Sequence, residues 1–169
     1  MVALLAAWLW LRRTSPAGPP TGSTISQSLN TNTIADTRRT WEEKLREAAA
    51  NLAGAPDAAG KSEVLARFRK TLAVGSTNEV SAAIRAFLDS KIDAPTGQGF
   101  KVGQHGFLAE APTLRTWLLD YLGQIDPAAA AEYARVILST SDLPDEWALA
   151  LRNLALGDTS ADARALLEG

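Results

Sequence analysis

Residues 114–123, LRTWLLDYLG, decide the fold class of this chain. Their large apolar side chains recur at steps of three and four, which places them along one face of an α-helix. These side chains are Leu114, Trp117, Leu118, Tyr121 and Leu122. Pro112 suits the first turn of such a helix, and Gly123 is expected to end it. The stretch therefore predicts an amphipathic helix whose apolar face, with Trp117 at its centre, is buried.

The same apolar spacing recurs on both sides of this helix. In chain order, helices are predicted to begin near Thr33, Asp57, Ser76, Pro112, Asp126, Asp142 and Thr159. Ser76 with Glu79 forms an S-x-x-E capping box, and Pro127 suits the first helical position after Asp126. The tryptophans on apolar helical faces are predicted to be core residues; they are Trp41, Trp117 and Trp147. The sequence therefore predicts an all-α domain of antiparallel helical hairpins over residues 34–169, with a short last helix that suggests C-terminal truncation.

The last two hairpins repeat at a regular interval along the chain. Glu132-Tyr133-Ala134 and Glu146-Trp147-Ala148 hold matching places in successive helices. This pattern, from Asp57 to Gly169, resembles the α-solenoids built from HEAT or tetratricopeptide repeats. The tetratricopeptide consensus is not visible in the sequence. An irregular helical bundle fits the same spacing, so both architectures stay open.

One stretch interrupts the helical pattern, namely residues 93–111, DAPTGQGFKVGQHGFLAEA. Its four glycines and one proline oppose a helix. Residues 100–102 and 105–108 are expected to form a long loop or to pair as a short hairpin. Because long loops in compact domains are enriched in function, we predict a binding site in this loop and at the start of the next helix. The predicted binding residues are Lys101, His105, Phe107 and Arg115.

Few residues in this chain are suited to catalysis or to cofactor binding. His105 is the only histidine, and there is no cysteine. The sequence has no phosphate-binding G-x-x-x-x-G-K-[ST] motif and no G-x-S-x-G motif, so no cofactor or metal is predicted. Asp142, Asp145 and Glu146 occupy a helix start, where the helix dipole favours negative charge. Asp120 is expected to face solvent or to pair with a base.

Two hypotheses for function follow from these observations. The first is a non-enzymatic interaction or scaffold domain that holds an unknown protein partner. Nucleic acid is not expected as a partner, because the net charge is −2. The alternative is an enzyme with its site at residues 93–111 and the following helix. That alternative requires His105 to lie in a concave pocket, within hydrogen-bond reach of an acid.

The N-terminal region is predicted to lie outside the folded domain. Residues 1–13 begin with an uncharged apolar run that is too short to cross a bilayer, so we expect part of a membrane anchor or a cleaved signal. Residues 14–33 are predicted to be a flexible polar linker. Uncharged stalks of this kind favour a domain outside the cytoplasm, whereas Arg12 and Arg13 favour the opposite side. The sidedness therefore stays open.

Overall fold

A computed structural model describes residues 24–158 and residue 160. That part of the chain contains six α-helices and one short β-hairpin. The helices are α1 Thr24–Gly54, α2 Ala58–Leu72, α3 Thr77–Asp89, α4 Leu114–Ile125, α5 Pro127–Thr140 and α6 Pro144–Gly157. The hairpin joins β1 Lys101–Val102 to β2 Leu108–Glu110 through a single 3-10 turn at Gln104–Gly106. The predicted all-α class is confirmed, while the helix predicted near Thr159 lies outside the described residues.

Several helices begin directly after a residue whose side chain caps the first turn. Asp57, Ser76 and Asp126 each accept a hydrogen bond from the backbone N–H three residues later, as N-caps do. Both boundaries of α4 differ from the prediction. The cap of α4 is Thr113, one residue after Pro112, and forms a reciprocal capping box with Thr116. The same helix continues through Gly123 to Ile125, because one glycine inside a helix costs only about 1 kcal/mol.

Helix α1 begins at Thr24, well before the start predicted near Thr33. Residues 24–33, predicted as linker, are therefore helical, and residues 14–23 lie outside the described part of the chain. The physical reason is that residues 24–53 contain neither glycine nor proline. Once the later part of α1 has nucleated the helix, each further turn costs much less than nucleation did. Polar composition alone was a poor guide to where this helix begins.

The helices pack mainly against near neighbours along the chain. Helix α1 contacts α2 and α3, while α4 contacts α3, α5 and α6, and α5 lies along α6. The core follows the predicted apolar faces, and its fully buried large side chains include Leu45, Leu52, Ile84, Leu114, Leu118, Leu122, Ile137 and Leu154. This arrangement is a helical bundle. None of the described helices is both long enough and apolar enough to cross a lipid bilayer.

The three tryptophans predicted to be core residues have different environments. Trp41 is buried, and Trp117 is partly buried, stacked on Tyr121 at a centroid distance of 5.3 Å. The prediction for Trp147 is wrong, because this side chain is 43% exposed. Its indole N–H donates to the carbonyl oxygen of Ser141 at 2.5 Å, which holds the ring along the turn between α5 and α6. Helical spacing grouped Trp147 with buried residues, although it lies at the edge of the contact surface of α6.

Candidate functional site

The predicted binding loop folds into an ordered antiparallel ladder. At its base, the N–H of Leu114 donates to Ala94 and the N–H of Thr96 donates to Pro112, each at 2.9 Å. Nearer the tip of the hairpin, Lys101 lies opposite Glu110 and Val102 lies opposite Leu108 in the register of the two strands. The hairpin prediction is confirmed, but its second strand begins at Leu108 rather than at residue 105. Residues 104–106 instead form the turn between the two strands.

The turn at the tip of the hairpin is tight and internally bonded. The N–H of Gly103 donates to Phe107 at 2.7 Å, and the N–H of Phe107 donates to Gln104 at 3.2 Å. His105 has a φ of 58° and Gly106 a φ of 76°, so both have left-handed backbone conformations. For a residue with a Cβ atom, such a conformation costs about 1 kcal/mol or more. Strained residues of this kind cluster at functional sites.

A polar pair anchors the hairpin to the helices beneath it. Asp120 on α4 is only 4% exposed, accepts a hydrogen bond from the N–H of Leu108 at 2.9 Å, and forms an ion pair with Arg152 on α6. Arg152 in turn donates to the carbonyl oxygen of Gly106 at 3.0 Å. Its guanidinium also lies 4.9 Å from the ring centroid of Phe107, in cation–π geometry. Of the two predicted alternatives for Asp120, exposure to solvent is wrong and pairing with a base is confirmed. The pair ties the hairpin to α4 and α6.

The hairpin brings together three of the four predicted binding residues. Lys101 is exposed and pairs with Glu110 at 3.1 Å. His105 is exposed at the tip, whereas Phe107 is partly buried beneath Arg152. The prediction did not include Val102, which is 57% exposed. A valine in a short strand is ordinarily half-buried, so only the structure identifies it as part of this surface.

Arg115 does not belong to this surface. Its side chain is 5% exposed, and its guanidinium donates to Glu146 at 2.7 Å and to the carbonyl oxygen of Leu88 at 2.6 Å. Arg115 therefore joins α3, α4 and α6 from the inside, which corrects its prediction as a binding residue. The sequence could not show this, because Arg115 and Glu146 are 31 positions apart.

Glu146 is held as a carboxylate inside the domain. Burial by itself would raise the pKa of Glu146, but hydrogen bonds from Arg115 and Ser141, together with the charges of Arg115 and Lys91, outweigh burial and lower the pKa below its usual value. Its neighbours at the start of α6, Asp142 and Asp145, are exposed or half-exposed. The three acidic residues predicted to interact with the helix dipole therefore differ in environment. Asp142 and Asp145 lie at the surface, whereas Glu146 belongs to a buried ion pair.

The hairpin does not meet the condition set for the enzyme hypothesis. His105 is exposed rather than in a concave pocket, and within the described residues its imidazole has no hydrogen bond to an acid. The same residues contain no group of three or more histidine, cysteine, aspartate or glutamate side chains placed to hold a metal. A cleft of about 520 Å³ between α1 and α2 has a mixed lining of small, apolar and charged side chains.

The chain matches no family model, no curated protein sequence and no solved structure. Any functional conclusion therefore depends on its own residues and their geometry.

Proposed function

We propose that this chain is a non-catalytic helical domain that binds another protein through the tip of its β-hairpin. The proposed contact surface, here called the hairpin tip, consists of Lys101, Val102, Gln104 and His105. The observation that carries the proposal is the rigid attachment of the hairpin by the Asp120–Arg152 pair. A recognition loop gains affinity when its bound shape exists before binding, because less ordering entropy is then lost on association.

The composition of the hairpin tip supports a protein partner. It combines an exposed apolar side chain, Val102, with side chains that can donate hydrogen bonds, including His105. Interfaces are built in this way, with an apolar centre and a polar rim. The contacts of α4 with α5 and α6, and of α5 with α6, also favour the finer proposal that this part of the bundle consists of successive helical hairpins of the α-solenoid kind.

The proposal is tested by comparing what wild-type and variant full-length chains capture from membranes solubilised in mild detergent. We expect Val102→Ser and His105→Gly to reduce recovery of a specific partner by about tenfold, as loss of an interface hot spot does. His105→Gly should not lower the melting temperature, because glycine tolerates a φ of 58° better than histidine does.

The matched control is Val74→Ser, which removes an 83% exposed valine from the turn between α2 and α3. This control should capture the partner as the wild type does. The proposal is rejected if both hairpin variants, folded as the wild type is, retain every specific partner. Capture that falls equally in Val74→Ser would point to general loss of apolar surface.

We also propose that residues 1–13 tether the domain to a membrane, with the domain outside the cytoplasm. The support for the tether is the uncharged apolar run that ends at Leu11, and the support for the side is the uncharged composition of residues 14–23. In this arrangement residues 24–40 of α1 add about 25 Å of helix between the tether and Trp41, at 1.5 Å per residue. The spacer would then be partly rigid, unlike the wholly flexible linker predicted from composition.

Deletion of Met1–Arg13 tests the tether. The full-length chain is expected to remain with membranes after alkaline carbonate washing, because burial of apolar side chains resists that treatment. The deleted chain is expected in the soluble fraction, with an unchanged helical circular dichroism spectrum. Recovery of the uncleaved full-length chain entirely in the soluble fraction would contradict the tether.

A further inference from the structure

A series of side-chain hydrogen bonds connects α2 to the hairpin through α4. The guanidinium of Arg69 on α2 donates to the side-chain oxygen of Gln124, and the amide of Gln124 donates to Oδ2 of Asp120 at 2.6 Å. Asp120 holds the hairpin through its other oxygen, Oδ1. We propose that Arg69 and Gln124 are positioning residues, which orient the carboxylate of Asp120 and thereby couple α2 to the hairpin tip.

Both oxygens of the buried Asp120 carboxylate have partners. Oδ1 accepts a hydrogen bond from the N–H of Leu108 at 2.9 Å and pairs with Arg152 on α6. Oδ2 accepts from Gln124, which is its one donor among the described residues. A carboxylate bound at both oxygens is held against rotation about its Cβ–Cγ bond, a bond that otherwise turns easily. Loss of Gln124 would therefore leave a buried oxygen without a partner and loosen the acceptor that Leu108 uses.

Glutamine is chemically suited to the place between Arg69 and Asp120. A guanidinium only donates hydrogen bonds and a carboxylate only accepts them, whereas a glutamine amide does both. The amide of Gln124 can therefore serve both neighbours in one orientation only. Arg69 is itself held in place, because its guanidinium lies 5.4 Å from the ring centroid of Tyr121, in cation–π geometry. Asp120 and Gln124 are four positions apart, so both project from the same face of α4.

This arrangement makes the order of the hairpin depend on α2 as well as on α6. Arg152 attaches the hairpin from α6, and the contact between Arg69 and Gln124 adds a second attachment through the other oxygen of Asp120. Arg69 is exposed, so a change at the surface of α2 can affect the hairpin without entering the core. The expected effect on binding rests on the proposed function, whereas the effect on the hairpin itself needs no partner.

The test is amide hydrogen exchange in the full-length chain, followed residue by residue by NMR. Gln124→Met nearly keeps the length of the side chain and removes both of its hydrogen bonds. Exchange of the Leu108 N–H is expected to become about tenfold faster, as loss of a hydrogen bond to a charged group predicts. Arg69→Met should accelerate this exchange less, by about threefold, and Arg69→Lys should restore the slow rate, because lysine can also donate to an amide oxygen.

Two controls separate positioning from general loosening. Gln98→Met removes another glutamine amide, which joins the same loop to α2 by donating to Ser62 at 2.7 Å, and should leave the Leu108 rate unchanged. The N–H of Asp126, which follows the last turn of α4, should also keep its rate in Gln124→Met. An unchanged Leu108 rate in Gln124→Met would overturn the proposal. So would an equal acceleration at Asp126, or an equal acceleration of Leu108 in Gln98→Met.

Partner capture distinguishes this proposal from the proposed function. Gln124→Met should reduce recovery of the partner of the hairpin tip, to a smaller extent than Val102→Ser does. Faster exchange at Leu108 with full capture would support the positioning role and count against the hairpin tip as the binding surface. Unchanged exchange with reduced capture would overturn the positioning role and leave the proposed function standing.

Discussion

Replacing Glu146 with leucine should lower the free energy of unfolding by about 3–5 kcal/mol, as removal of one partner from a buried ion pair does. The cause is the guanidinium of Arg115, which would stay buried among α3, α4 and α6 without its carboxylate. Chemical denaturation followed by circular dichroism measures the change. If the Glu146→Leu variant is as stable as the wild type, the side chain of Arg115 has moved out of the core into solvent in that variant.

Two further variants distinguish a buried pair from ion pairing in general. Arg115→Met combined with Glu146→Leu should recover most of the lost stability, because an apolar pair of similar volume needs no compensating charge. Glu63→Leu removes a pair of nearly the same length, 2.9 Å, in which both side chains are more than two-thirds exposed. Its effect should be below about 1 kcal/mol.

The same ion pair makes stability depend on pH. Because the pKa of Glu146 is lowered in the folded domain, the unfolded chain binds more protons at mildly acidic pH. Stability is therefore complete above the unfolded pKa of about 4.5 and is lost as the pH falls through the folded pKa. Denaturation at pH 7 and at pH 3.5 should show a smaller loss in the double variant than in the wild type.

Trp117→Ala should lower the free energy of unfolding by about 3 kcal/mol, near the lower end of the range for truncating a large aromatic side chain. Trp117 is partly buried, but its ring stacks on Tyr121 and lies 6.0 Å from the ring of Phe68, so it joins α4 to α2. Thermal denaturation measures the loss. The control is Leu156→Ala, which shortens an exposed leucine and should change stability by less than about 0.5 kcal/mol.

A different outcome for Trp117→Ala would change its interpretation. If the variant melts as the wild type does but no longer captures a partner, then Trp117 is a binding platform.

The fold class was predictable because the relevant signals are local. Ser76 and Asp126 cap helices through residues three positions away, and the apolar residues of α4 reveal its buried face within two turns. Glycines likewise indicated the hairpin, because they interrupt every helical pattern between residues 93 and 111. Caps, apolar spacing and glycines each depend on residues that are close together in the sequence. Over that range, the spacing of residues determines which side chains share a face of a helix or strand.

The candidate site was less predictable because it depends on contacts between distant residues. Asp120 was expected either to face solvent or to pair with a base. The sequence did not identify Arg152 as that base, and it did not show that the pair supports the hairpin. Arg115 showed the opposite error, since a charged residue beside a glycine-rich loop is usually exposed. The prediction that Trp147 is buried was wrong because apolar spacing defines a face of a helix but does not show whether another helix covers that face.

The way the helices pack has a consequence for how the domain folds. Extensive helix–helix contacts join helices that are adjacent or next but one along the chain, so the contact order is low. Domains of this kind fold quickly, because little loop-closure entropy is lost before contacts form. The ladder that ties residues 94–96 to residues 112–114 closes the longest connection between two helices in the described part of the chain, so it brings α4 against α3 at the point where local contacts along the chain are interrupted.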